Sequence, residues 1–395
     1  MLKRHKNTPV ATDVEIQSQG VSLDPSPATY GSITSRSKSR LALFIQPFKK
    51  KYFVIALAAI IIVGGGLIAL LASHREPTVP NTVATIKPKP VHKIYSPLTG
   101  LETTEAASKR PVTAIMIENS PEARPQSGLK DGGVIYEAIA EGGITRFIAL
   151  YQESRPGLIG PVRSVRPYYV QWASAYDPAV VHVGGSQRAL SMIRSGSYGT
   201  DLDQFFNAGS YWRTNDRVAP HNVYTNFDKI DALATSKGKT SSTFQGFLRK
   251  DEAKPAAIAE ARKKGIQGNT IAIDISSGQF HVEYAYQPDS NTYKRSQGGT
   301  DHTDREAGII TPKVVVALKV PMSIEMEDGY REQITTTGSG SAYVFQDGLV
   351  NECTWSREAE TSRLVLTGAD GKEIALNRGQ TWITALANNR GVTWQ

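Results

Sequence analysis

The chain has 395 residues, 40% of them hydrophobic and 21% charged, with a formal net charge of +8. At roughly 100–200 residues per domain, that length predicts two folded domains plus additional segments. Residues 1–51 carry nine basic side chains (Lys3, Arg4, Lys6, Arg36, Lys38, Arg40, Lys49, Lys50, Lys51) against three acids (Asp13, Glu15, Asp24), so most of the excess charge lies in a tail. This removes the main argument for nucleic-acid binding by the folded part. The lone Cys353 excludes an internal disulfide and a cysteine-based zinc site, and reads as a small buried hydrophobe.

Residues 1–51 begin with a Ser/Thr/Pro-rich stretch without apolar periodicity and read as a disordered basic cytoplasmic tail. Residues 52–72 (YFVIALAAIIIVGGGLIALLA) carry no charge and are long enough to cross about 30 Å of hydrocarbon as a helix. Lys49, Lys50 and Lys51 stand directly before the run, so the N-terminus is expected in the cytoplasm and residues 73–395 outside it. A cleaved signal is disfavoured because the run exceeds an h-region of about 7–15 residues and begins far into the chain. No cysteine follows closely to carry a lipid. Residues 73–93 hold four prolines and read as a semi-rigid spacer.

The first folded domain is predicted over 94–249, with strands at 112–117, 146–152 and 178–183. The run 134–140 is apolar and ambiguous between strand and helix. Helices are expected over 164–176, with Ser164 as cap, over 186–194, with Ser186 as cap, and over 226–236. Strands interleaved with helices indicate an α/β or α+β layered domain. A charged, Ala-rich connector is expected at 250–267, with Pro255 placeable only in the first turn of a helix. Residues 268–395 are expected to be mostly β, a sandwich or open barrel. They contain a hairpin signal at 281–295, an apolar strand at 314–320, a closing strand at 381–386, and Asp-Gly turns at 327–329, 346–348 and 369–371.

Arginines beside glycine and proline mark the first domain: Arg124, Arg146 after a Gly-Gly turn, Arg163 and Arg166 flanking a predicted helix start, and Arg188. Turns and helix N-termini expose free N–H groups, and guanidinium forks seek oxygens, so these residues are candidates for an anion pocket. The competing assignment pairs them with Glu118, Glu137, Glu141 and Asp177 to fasten loops. His182-Val183-Gly184-Gly185-Ser186 places a serine after a strand but lacks the Gly-x-Ser-x-Gly elbow, so Ser186 reads as a cap. His221 and Asn222, in a loop after Pro220, border the same candidate pocket, as do Asn119, Glu141, His182 and Ser186. Asp301-His302-Thr303-Asp304 offers three metal-ligand types within four residues, a weak signal that reads as a solvated loop.

The stretches SPLTGL (96–101), RPVTAIMIENSPEARPQSGL (110–129), EGGITRFIALYQ (141–152), IGPVRSVRPYYV (159–170), HVGGS (182–186), APHNVYT (219–225) and GQTWI (379–383) resemble the YerB-like bacterial envelope proteins, whose N- and C-terminal domains are of unknown function. The resemblance implies a two-domain extracytoplasmic protein tethered to the membrane. Many such proteins are lipoproteins, whereas this chain carries a predicted span and no lipid-bearing cysteine. No cofactor or metal is expected, and no catalytic set is complete. The expected role is a binding or scaffolding module for an anionic glycan or polyprenyl-phosphate ligand, or for a cell-wall-synthesis protein. The alternative is a transferase or hydrolase on polyprenyl-phosphate or glycan substrates.

Overall fold

Every residue of the run TAIMIE at Thr113–Glu118 is buried, which requires a strand covered on both faces. The computed structural model describes residues 93–324 and 331–395. Its two principal sheets use strands numbered here in chain order. These are β1 Thr113–Glu118, β2 Val134–Glu141, β3 Ile144–Tyr151, β4 Ala179–His182 and β5 Thr200–Asp203. They continue with β6 Thr270–Ile273, β7 Val282–Gln287, β8 Thr292–Gln297, β9 Thr300–Asp301 and β10 Val314–Val320. The last are β11 Gly338–Gln346, β12 Leu349–Arg357, β13 Val365–Gly368, β14 Thr381–Ala387 and β15 Val392–Trp394. The longer helices are α1 Pro167–Ser174, α2 Gln187–Arg194, α3 Phe227–Ser236 and α4 Pro255–Lys264.

Ten strands form one sheet in the order β13-β12-β11-β10-β14-β2-β3-β1-β4-β5. Strand β14 runs parallel to both neighbours, with Thr381 opposite Val134 on β2 and opposite Val314 on β10. Residues assigned from sequence to an α/β part (94–249) and to a mostly-β part (268–395) therefore contribute adjacent strands to a common sheet. The apolar run at 134–140 is a strand, because its hairpin partner β3 follows at once through Gly142 and Gly143, both at positive φ. The fold is mixed α/β with mostly β content.

Alternation along β1 sends Ala114 and Met116 to one face and Ile115 and Ile117 to the other. The first face packs on α1 and α2 through Tyr168, Trp172, Ala189 and Ile193. The second packs on α3 through Phe227 and Ile230, and on a five-stranded antiparallel sheet, β9-β8-β7-β6-β15, through Ile273, Val282 and Tyr284.

Local signals hold in several places. Asn226 caps α3 by accepting from Lys229 N at 3.0 Å. Asp347 and Gly348, at φ 59° and 68°, form the two-residue turn between β11 and β12. Pro255 opens α4 within the expected connector. The helix expected from Ser164 begins later: Arg166 is its N-cap residue and Pro167 its first residue. Ser186 occupies the N-cap of α2, but its hydroxyl makes no capping bond and is buried without a partner among the described residues. The loop at 301–304 is not simply solvated: His302 and Asp304 are buried. His302 Nε2 lies 3.0 Å from Gln126 Oε1, and Asp304 accepts from the backbone N–H of Lys130, Glu306 and Ala307. The expected tail, the span at 52–72, nearly all of the spacer at 73–93, and the Asp-Gly turn at 327–329 lie outside the described residues. Among the described residues, no helix is long and apolar enough to cross a membrane.

Candidate anion-binding cleft

Glu118, His182 and Asp203 are the last residues of β1, β4 and β5, three neighbouring parallel strands. Crevices beyond the carboxyl ends of such strands are where open α/β sheets hold ligands. A cleft of about 510 Å³ lies there, lined by Arg163, Gly184, Arg194, Phe205, Phe206 and Arg213 among others. Its floor is set locally. Gly184 sits at φ 60°, its N–H donates to Asp203 Oδ1 at 3.0 Å, and a Cβ at this glycine would press on the Phe205 ring at 3.0 Å. The turn thus requires glycine so that the aromatic ring can lie over it.

Phe205 and Phe206 are 69% and 72% exposed, which is unusual for adjacent large apolar side chains. The Arg194 guanidinium lies 5.1 Å over the Phe206 ring and 3.2 Å from Asp203 Oδ2. Arg213 donates to Asn222 Oδ1 at 2.7 Å. Arg163 Nε lies 3.2 Å from Glu118 Oε1, but its N–H is not aligned for a hydrogen bond. The same Glu118 oxygen lies 3.0 Å from His221 Nδ1 and accepts from Ser120 Oγ at 3.2 Å. Among the described residues, the second oxygen of this buried carboxylate has no hydrogen-bond partner. Burial pushes the Asp201 carboxyl up, but its hydrogen bond from His182 and the charge of Arg194 hold it below the usual range.

Of the five arginines singled out from sequence, Arg163 lines this cleft. Arg146 and Arg166 converge instead on Glu141: Arg146 pairs with one carboxylate oxygen, and Arg166 donates to the other at 3.0 and 2.6 Å. Both guanidiniums are buried. Burial pushes Glu141 up, yet the two arginines hold its pKa below the ordinary value. Arg124 grips Asn119, donating to its side-chain oxygen at 3.2 Å and its carbonyl at 2.9 Å. Arg188 reaches toward Gln333 and Glu360 on another surface. His182 is fully buried and uses both ring nitrogens, at 2.9 Å from Gly184 O and 3.0 Å from Asp201 Oδ1. Asn222 locks its own loop by donating to Thr214 O and Arg217 O, and so positions Arg213.

Sequence reasoning passed over Arg194, Arg213 and the Phe205–Phe206 pair. The available signal was two consecutive phenylalanines in a polar turn, between Asp203-Gln204 and Asn207. Among the described residues, no group of three His, Cys, Asp or Glu side chains is arranged to hold a metal ion.

Two family descriptions match the chain: "Protein of unknown function (DUF3048) N-terminal domain" over residues 98–241, and the corresponding C-terminal domain over 271–383. A Bacillus subtilis (strain 168) protein named "Putative lipoprotein YerB" is 32% identical over 320 residues, covering 80% of this chain and 90% of that protein. The crystal structure of YerB protein from Bacillus subtilis superposes with a TM-score of 0.66 at 30% identity, covering 76% of this chain and all of that one. With both domain descriptions matched in order and a relative of this similarity over most of both lengths, the chain belongs to the DUF3048 family.

Proposed function

We propose that this chain is a membrane-anchored envelope protein whose cleft beyond β1, β4 and β5 binds an anionic amphipathic ligand, of the polyprenyl-phosphate or acidic-glycan class. The envelope location is supported by the relative named as a lipoprotein and by the uncharged run at 52–72. The single observation that carries the ligand assignment is the joint lining of one cleft by guanidiniums and exposed phenyl rings. Arg213 has an amide rather than a carboxylate as its hydrogen-bond partner, so its charge is free to meet a phosphate or carboxylate. Phe205 and Phe206 supply apolar area for a lipid or sugar face.

The test is a thermal-shift titration of the full chain in detergent, using inorganic pyrophosphate and a short polyprenyl phosphate. A ligand at 100 times its dissociation constant stabilises the folded state by about 2.7 kcal/mol. The shift is expected to vanish in Arg213→Ala and to persist in Arg188→Ala, whose side chain lies elsewhere. No shift with either compound, or one insensitive to Arg213→Ala, refutes the cleft and directs attention to a cell-wall-synthesis protein as the partner.

A further inference from the structure

The geometry points to His221 as the proton acceptor in hydrolysis of a phosphate ester or pyrophosphate at this cleft, an activity that rests on the cleft being an anion site. The described histidines differ in how their ring nitrogens are used. His182 and His302 are buried, and each engages both nitrogens: His182 with Gly184 O and Asp201, His302 with Arg295 and Gln126. Those are structural arrangements. His221 engages only Nδ1, at 3.0 Å from Glu118 Oε1 and 3.2 Å from Ser120 Oγ. Its Nε2 makes no hydrogen bond among the described residues, and its side chain is 23% exposed.

An ionised carboxylate only accepts, so pairing with ionised Glu118 selects the tautomer with its proton on Nδ1 and leaves the Nε2 lone pair uncommitted. Glu118 is positioned to do this because it ends a buried strand, and its side chain is 4% exposed. The same carboxylate oxygen lies 3.2 Å from Arg163 Nε, and Arg163 lines the cleft together with Pro220, the residue before His221. A base and a guanidinium are thus tied to one carboxylate, and the guanidinium and the residue preceding the base line one crevice. In that frame Arg163 and Arg213 take the phosphoryl oxygens. A water molecule attacks phosphorus as Nε2 accepts its proton. The new P–O bond forms, the P–O bond to the leaving group breaks, and the leaving oxygen takes the proton back from the imidazolium. The net change is addition of water across one P–O bond, with no oxidant, reductant or further co-reactant.

The experiment combines histidine reactivity with turnover, using the full chain in detergent. Carbethoxylation by diethyl pyrocarbonate, read by mass spectrometry, is expected to modify His221 several-fold faster than the more exposed His281, and Glu118→Gln is expected to remove that advantage. A His221 no faster than His281 overturns the assignment. Phosphate release from inorganic pyrophosphate and from p-nitrophenyl phosphate is then followed. His221→Asn is expected to cost at least about 100-fold, while His281→Asn leaves the rate unchanged. Release that survives His221→Asn, or no release from either compound, overturns the hydrolysis. Protection of His221 by pyrophosphate reports on the cleft separately: protection without turnover keeps the binding site and overturns the chemistry. Turnover unaffected by Arg213→Ala overturns the placement of the substrate.

Discussion

Arg295 Nη2 lies 2.8 Å from Glu137 Oε2, although the two residues are 158 positions apart in the chain and both side chains are fully buried. Trp382 Nε1 donates to the same oxygen at 2.9 Å, and the Arg295 guanidinium lies 4.4 Å over the Trp382 ring. Arg295 also meets His302 and donates to Gln297 Oε1 at 3.0 Å and Tyr284 Oη at 3.2 Å. Three distant segments, on β2, β8 and β14, therefore meet at one buried carboxylate.

Removing one partner strands the other charge away from water. Glu137→Ala is expected to lower stability by about 3–5 kcal/mol, measured by urea unfolding followed through tryptophan fluorescence. Arg295→Met added to Glu137→Ala should cost less than the sum of the two single changes, since the double variant buries no lone charge. Additive costs would mean that the pair is not coupled.

Strand β14 fills the place between β2 and β10. A chain ending at residue 250 leaves the β2 edge unpaired and exposes Ile135 and Phe147, which are fully buried in the intact protein. Residues 94–250 alone are expected to aggregate or to lack dispersed amide signals in nuclear magnetic resonance. A well-dispersed, monomeric fragment would show that this half folds without β14.

Glu141 reports on pH. Its pKa is held below the ordinary 4.5, so it adds stability above the unfolded value, and that increment disappears as pH falls through the lower folded value. As pH falls below the ordinary carboxylate value of 4.5, the unfolding midpoint of the wild type should drop more steeply than that of Glu141→Gln. Parallel pH profiles would assign the acid sensitivity to other carboxylates.

Phe205 and Phe206 face solvent, so Phe205→Ser with Phe206→Ser should change folding stability by no more than about 0.5 kcal/mol. The same pair of changes should weaken binding of a polyprenyl phosphate more than that of pyrophosphate, because only the lipid uses the apolar wall. Equal loss for both ligands would assign the rings a role in shaping the arginines instead.

Cys353 packs against the core from β12, and burial pushes its thiol up to about 12. Ellman's reagent should react with it at neutral pH only after unfolding. Rapid reaction in the native protein would require local opening of that strand.

Adjacent residues carry enough information to define individual elements. The uninterrupted apolar run of β1, the Asn226 cap of α3 and the Asp347–Gly348 turn follow from side-chain period, capping chemistry and tolerance of positive φ, all properties of a few neighbouring residues. The uneven charge, the uncharged run at 52–72 and the absence of an internal disulfide are likewise legible in the residues alone. The placement of β14 between β2 and β10 emerges in three dimensions alone, because pairing across some 245 positions leaves no local trace. So does the choice of which arginines line the cleft. Arg146, Arg163 and Arg166 look alike in sequence, each within a few residues of glycine, serine or proline. Their roles separate only when the β2–β3 hairpin and the N-terminus of α1 bring Glu141 between Arg146 and Arg166, while Glu118 at the end of β1 draws Arg163 to the cleft. A buried carboxylate claims the nearest guanidinium, and which one is nearest depends on strand register and helix placement, which no short stretch of sequence contains.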